Sequence, residues 1–157
     1  MKILVFTEGT ILTHQSDIGL TREDIVKKVM NKEKTVRDFA HYVPIGNAVD
    51  KIKKWADWGA QIVYMTSRKS QKEVSDIQNV LDQNSFPKGV LEYRNMGEEY
   101  KDVAERVMPD VLIEDDCESI GGEIEMSYPH IKDELRARIR SVVVKEFFGI
   151  DNLPDSF

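Results

Sequence analysis

Short apolar runs alternate with segments of helical periodicity along the whole chain. Apolar runs typical of buried strands lie at residues 3–6, 61–66, 90–93, 110–114 and 142–145. Between them, residues 48–56, 70–81 and 98–108 carry apolar side chains at helical spacing. Strands that alternate with helices predict βαβ units with right-handed crossovers. The pattern therefore predicts an α/β fold of the three-layer Rossmann-like kind, a parallel sheet with helices on both faces.

A polar segment at residues 13–43 interrupts this alternation directly after the first strand. Within it, Thr21 precedes the acids Glu23 and Asp24 and then the apolar Ile25 and Val26, which is typical of a capped amphipathic helix. We interpret the segment as a small helical, cap-like insertion. A length of 157 residues suits one domain, so we expect a single domain over residues 1–157 that carries this insertion.

Composition narrows the classes of partner. The formal net charge is −6 and 32% of residues are charged, which offers no basic field for nucleic acid. Cys117 is the one cysteine and cannot form an internal disulfide, no secretory signal pattern precedes the first strand, and the apolar runs are far shorter than a membrane span. We expect a cytoplasmic protein that binds neither nucleic acid nor membranes; the sequence leaves its oligomeric state open.

Polar residues collect where the predicted strands end. Segments 7–10, 66–69 and 114–116 each follow a strand, and ligands of open α/β sheets bind beyond the carboxyl ends of the strands. Two of these segments are acidic and one carries hydroxyls and cations. Clustered carboxylates suit Mg²⁺, whereas a hydroxyl-bearing turn at a helix start suits phosphate. The sequence predicts a Mg²⁺-assisted site for a phosphorylated small molecule.

Four motifs in this order resemble the haloacid dehalogenase (HAD) superfamily of phosphohydrolases. They are FTEGT at residues 6–10, the threonine of VYMTSR, the lysine of EEYKDVAERV and the acids of VLIEDD. The resemblance implies that Thr66, Ser67 and Lys101 hold phosphoryl oxygens. It implies an acid/base role for Glu8 and a Mg²⁺ site, whose candidate ligands are Glu8, Glu114, Asp115 and Asp116.

The first motif departs from the family at the nucleophile. Alignment on Gly9 and Thr10 places Phe6 where the family has its attacking aspartate, while alignment from the amino terminus places Thr7 there. Phenylalanine can neither attack phosphorus nor bind Mg²⁺, and a threonine hydroxyl is a poor nucleophile without a base. Losing an anionic ligand also weakens the metal site. Standard phospho-aspartate chemistry is therefore not expected.

Three functions fit this pattern. The first is a ligand-binding or regulatory protein that holds Mg²⁺ and a phosphorylated small molecule without turning it over. The second is a Mg²⁺-dependent phosphohydrolase that activates water directly, with Glu8 or Asp116 as the base. The third is a partner-binding domain with a residual site, in which residues 13–43 form the contact surface.

Overall fold

The central sheet of the computed structural model, which describes residues 1–157, has five parallel strands. Its strand order is β5-β4-β1-β6-β7. The strands of the chain are β1 Lys2–Phe6, β2 Leu12–His14, β3 Tyr42–Pro44, β4 Gln61–Met65, β5 Val90–Glu92, β6 Val111–Asp115 and β7 Arg140–Val144. The helices are α1 Arg22–Met30, α2 Ala48–Asp57, α3 Gln71–Gln83, α4 Tyr100–Val107 and α5 Asp133–Arg136. The predicted α/β, Rossmann-like parallel sheet is confirmed.

Buried side chains form two clusters, one on each face of the sheet. The larger cluster packs Ile3 and Val5 of β1 against Trp55 of α2 and Ile77 of α3. The smaller one packs Leu4 with residues of α4. Successive residues of a strand point to opposite faces, so the continuous apolar run of β1 supplies both clusters. Burial on both faces explains why the sequences of the central strands are continuously hydrophobic.

The register of the sheet brings three strand ends to one edge. In β1, Phe6 lies beside Met65 of β4, and Val5 lies beside Ile113 of β6. Because these strands are parallel, the segments that follow them emerge side by side at the carboxyl edge. A ligand site is expected at this edge of an open α/β sheet.

The insertion after β1 contains α1 and several short 3-10 turns. The side chain of Thr21 accepts a hydrogen bond from the amide of Asp24 at 3.2 Å and caps α1. The insertion also has two strands that the sequence pattern did not predict, β2 and β3, which pair antiparallel. At three residues each, they are too short to show a clear two-residue period. None of the helices has the length and apolarity that crossing a membrane requires.

Candidate metal and phosphate site

A cavity of about 260 Å³ opens at the carboxyl edge of the sheet, beneath the insertion. Phe6 and Glu8 line it from the end of β1 and its loop, and Asp115 lines it from β6. Val36, Phe39 and Tyr42 of the insertion form its upper wall. The cavity therefore lies where strand-end chemistry is expected, and one half of its wall is apolar.

Three carboxylates meet beside the cavity, and two of them, Asp115 and Glu146, line it. Asp115, Asp116 and Glu146 can each offer an oxygen so that all three oxygens lie within 4.8 Å of one another. Asp115 accepts hydrogen bonds from the Thr10 hydroxyl at 2.8 Å and the Cys117 amide at 2.9 Å. The spacing and the oxygen chemistry of this acidic cluster suit a hard divalent cation such as Mg²⁺.

Local backbone geometry holds the acidic cluster together. Gly9 has φ +82°, and a Cβ there would lie 2.9 Å from Oδ2 of Asp115, so the loop after β1 needs glycine to pass this close to the carboxylate. Glu146, at 5% exposure, accepts hydrogen bonds from the amide and the hydroxyl of Ser119 at 2.7 and 2.6 Å. The amide of Glu146 donates to Asp116 at 3.1 Å.

Burial perturbs the acidic groups at this edge. It raises the pKa of the Asp115 and Glu146 carboxyls, against the opposing effect of their hydrogen-bond donors. It also raises the pKa of Glu114 to about 7. Neighbouring carboxylates add to the shift in each case. Acids that lose hydration next to one another are stabilised when a cation is bound among them.

Glu114, the first of the three consecutive acids, is held apart from the acidic cluster. Its two carboxylate oxygens accept hydrogen bonds from the amides of Ser127 and Tyr128 at 2.7 and 2.9 Å. It lines the cavity but is not one of the three carboxylates that converge. Of the four predicted metal ligands, the structure thus brings together Asp115 and Asp116.

Glu8 lies among the donors predicted for phosphate. Its carboxylate accepts hydrogen bonds from the hydroxyls of Thr66 at 2.7 Å and Ser67 at 3.4 Å, and pairs with Nε of Arg68 at 3.1 Å. The Thr7 hydroxyl donates to the same carboxylate and to the Met65 carbonyl, the latter at 3.0 Å. Thr66 and Ser67 thus lie together, with their hydroxyls directed at a carboxylate of the protein itself.

Lys101, the predicted phosphate-binding lysine, lies outside this cavity. It stands in the first turn of α4, where its ammonium pairs with Asp102 at 3.2 Å and Glu99 at 3.6 Å. Arg37 of the insertion and Arg68 are the cations that line the cavity, and Arg68 directly follows Thr66 and Ser67 in the chain. Its guanidinium lies over the ring of Phe39, 4.4 Å from the ring centre, and this contact holds it against the insertion.

Sequence reasoning missed two residues of the site. Glu146 follows β7 at a distance of two residues, so extending the strand-end rule to the last strand would have found it. Arg68 lies in the segment at residues 66–69 that carries hydroxyls and cations, whereas the family motif indicates a lysine at position 101 as the cation of the site.

Comparison with known proteins gives both a fold and a family. A solved structure of the class C acid phosphatase from Bacillus anthracis with tungstate bound has a TM-score of 0.59 and 12% identity, covering 94% of this chain and 68% of that one. Another structure of the class C acid phosphatase from Bacillus anthracis has a TM-score of 0.58 and 14% identity, with coverages of 94% and 67%. This likeness supports the HAD-like, phosphatase-type fold.

Curated proteins gave no match by sequence. A family model does match, described as "PITM 1-3, LNS2 domain", over residues 15–133. The match covers the insertion from residue 15 onward, the predicted phosphate turn at residues 66–69 and β6 with its acids. It covers well over half of the chain, and the protein belongs to the family of LNS2 domains described by that model.

Proposed function

We propose that this protein binds Mg²⁺ together with the phosphate of a small molecule and does not form a phospho-aspartate. One observation carries the proposal: Asp115 and Glu146 of the acidic cluster line the same cavity as the donors Ser67 and Arg68, while Phe6 occupies the strand end. Metal and anion chemistry are thus present without a carboxylate nucleophile. Such a protein would serve as a binding or regulatory module.

The metal half of the proposal rests on Asp115, Asp116 and Glu146. Their oxygens are close enough to share one ion, and two of the three side chains are at least nine-tenths buried. Buried carboxylates at this spacing repel unless a cation lies among them. Mg²⁺ bound there would supply positive charge for a phosphate oxygen in the cavity.

The anion half rests on Thr66, Ser67 and Arg68, which now hold Glu8. A phosphate needs the same donors as a carboxylate. We infer that an incoming phosphate takes these donors over and that the carboxylate of Glu8 moves aside toward the metal. Glu8→Gln, which removes the negative charge, should therefore bind inorganic phosphate more tightly than the wild type in the presence of Mg²⁺.

Phe6 is the reason to favour binding over turnover. Its ring packs edge-on against Tyr100, with the ring centres 5.7 Å apart, and it lines the cavity. Thr7, the other residue that could be aligned with the nucleophile, has the Glu8 carboxylate as a neighbouring base, but it is fully buried and also lies within hydrogen-bond distance of a main-chain carbonyl, so its hydroxyl is not open to a ligand in the cavity. Neither side chain supports attack on phosphorus.

A second candidate function is Mg²⁺-dependent hydrolysis by directly activated water. It is favoured by the position of Glu8, whose carboxylate lies within hydrogen-bond distance of the donors that would hold the phosphate. A base in that place could take a proton from a water bound beside the metal. The two candidates differ in whether phosphate is released.

The test is Mg²⁺ binding by calorimetry together with phosphate release from a panel of phosphomonoesters. We expect Mg²⁺ to bind the wild type, and binding to be lost in Asp115→Asn/Asp116→Asn. The matched control is Asp133→Asn/Glu134→Gln in α5, which removes the same charge outside the cavity and should keep the metal.

Phosphate release then separates the two candidate functions. Release that disappears in the Asp115/Asp116 double variant would establish the hydrolase. Mg²⁺ binding without release supports the binding protein. If Mg²⁺ binds the double variant as well as the wild type, the acidic cluster is not the metal site and the proposal is wrong.

A further inference from the structure

A second hollow, of about 360 Å³, adjoins the cavity and shares two of its wall residues. Tyr100 and Glu125 line both spaces. The remaining wall of the second hollow comes from Arg94, from Glu99 and Lys101 at the start of α4, and from the loop after β6. The two spaces therefore meet at Tyr100 and Glu125.

Arg94 is the feature of the hollow that needs explanation. Its guanidinium lies over the ring of Tyr100, 3.9 Å from the ring centre, and donates one hydrogen bond, to the carbonyl of Ser67 at 3.3 Å. No carboxylate lies within ion-pair distance of it, and its Nε is buried without a hydrogen-bond partner. A guanidinium group has five N–H donors, and this partly buried one has a single hydrogen-bond partner in the protein, so most of its donors are left without one.

The other charges of the hollow leave Arg94 available. Lys101 is occupied by two acids, Glu99 and Asp102, so these three groups together add no positive charge. His130 directs Nε2 at the main-chain carbonyls of the loop after β6. Glu125 is exposed and borders both spaces. Recognition here would therefore rest on direct contact with the Arg94 fork and not on a net positive field.

We propose that the hollow is a subsite for a second anionic group, and that the ligand is a small molecule with two anionic groups, one of them a phosphate. This proposal rests on the proposed function of the cavity. Planar guanidinium groups bind carboxylate or phosphate oxygens in pairs, and the hydrogen bond to Ser67 ties Arg94 to the turn that would hold the phosphate. The second group would complete the partners of Arg94.

The experiment compares monophosphates with bisphosphates of matched chain length. Propyl phosphate and pentyl phosphate are titrated by calorimetry in excess Mg²⁺, beside propane-1,3-diol bisphosphate and pentane-1,5-diol bisphosphate. We expect at least one bisphosphate to bind about 10- to 100-fold more tightly than its monophosphate. For each variant we compare the ratio of bisphosphate affinity to monophosphate affinity. A substitution that weakens the binding of both ligands equally leaves this ratio unchanged.

Variants of Arg94 test whether this residue causes the higher affinity for bisphosphates. In Arg94→Gln the ratio should fall to about one, and in Arg94→Lys, which keeps the charge but loses the fork, it should fall partway. The matched control is Arg138→Gln, an exposed arginine outside both spaces, which should keep the wild-type ratio. If Arg94→Gln does not fold, Arg94→Lys alone decides the assignment.

The outcomes separate the two proposals. If monophosphates bind but no bisphosphate binds more tightly, or if the ratio survives loss of the Arg94 fork, the subsite is refuted and the proposed function stands. If monophosphates bind neither the wild type nor Glu8→Gln, the proposed function fails, and the subsite that rests on it fails with it.

Discussion

Replacing Thr10 by valine would measure how far the acidic cluster depends on one neutral donor. The Thr10 side chain is fully buried, and its hydroxyl donates to Oδ2 of Asp115 at 2.8 Å. Valine keeps the shape of the side chain and replaces the hydroxyl by a methyl group. The carboxylate of Asp115, at 6% exposure, would keep the Cys117 amide as a donor but could not replace the lost partner with water.

The magnitude follows from the charge of the acceptor. A hydrogen bond to a charged group contributes about 1.5–3 kcal/mol, and a buried acceptor left unsatisfied costs a similar amount. The free energy of unfolding should therefore fall by about 1.5–3 kcal/mol, a factor of roughly 10 to 150 in the ratio of folded to unfolded protein. With ordinary urea slopes, the unfolding midpoint should fall by about 1 M.

The same change should weaken Mg²⁺ binding. The hydroxyl of Thr10 favours the charged form of Asp115, so its loss raises the pKa of that carboxyl further above its ordinary value. A more protonated ligand binds the metal less tightly at neutral pH. Urea unfolding without metal and calorimetry with Mg²⁺ would measure the two effects separately.

Thr10→Ser is the control, because it keeps the hydroxyl and removes only a methyl group. It should lose about 1 kcal/mol and keep its Mg²⁺ affinity. A valine variant as stable as the wild type, or a serine variant that loses as much as valine, would refute the assignment of this energy to the hydrogen bond.

Three further predictions concern the metal site and the core. Phe6→Asp should increase Mg²⁺ affinity by calorimetry, because it restores an anion at the strand end; unchanged affinity would place residue 6 outside the reach of the metal. Mg²⁺ affinity should also rise with pH above the range in which ordinary carboxyls ionise, because burial raises the pKa of Asp115 and Glu146, and protons compete with the metal until both are ionised; an affinity independent of pH contradicts this ligand set. Trp55→Phe should lower the free energy of unfolding by about 1–3 kcal/mol and leave Mg²⁺ affinity unchanged, since Nε1 of Trp55 donates to the Pro154 carbonyl at 2.9 Å; a stability equal to the wild type in urea would show that this bond contributes nothing.

The sheet was predictable because its central strands are buried on both faces. Their apolar runs are continuous, and the helices between them have strong periodicity and clear ends, such as the capping hydroxyl of Ser70 before α3. The strands β2 and β3 were not predictable, since three residues carry too few positions to define a period. Tertiary pairing, not local pattern, defines them.

The membership of the acidic cluster could be predicted only in part. Three consecutive acids cannot all point the same way from a strand: Leu112 and Ile113 belong to opposite faces, so Glu114 and Asp115 diverge in the same manner. Glu114 is then close to the loop amides and Asp115 to Thr10. The third carboxylate of the cluster, Glu146, comes from a strand end 30 residues beyond Asp116, a contact that only the folded sheet creates.

Lys101 shows why a motif does not determine a side chain's position. The family pattern identifies a lysine in a helix, but the direction of its side chain depends on where that helix begins. Here α4 begins at Tyr100, so Lys101 lies in the first turn beside the acids Glu99 and Asp102. Positive charge at the cavity comes instead from Arg37 and Arg68, and the position of Arg68 depends on its contact with Phe39 of the insertion.

The paired strands β2 and β3 have a consequence for the size of any ligand. They join the insertion to the core as a two-stranded stem. An acid packs closely against the backbone at each end of the stem: a side chain at Gly9 would meet Asp115, and one at Gly46 would meet Asp151. Asp151 also accepts a hydrogen bond from the amide of Asn47 at 2.9 Å. The insertion is thereby fixed at a set height above the strand ends. The cavity of about 260 Å³ lies between this insertion and the strand ends, so under the proposed function any larger part of a phosphorylated ligand would have to extend out of this space.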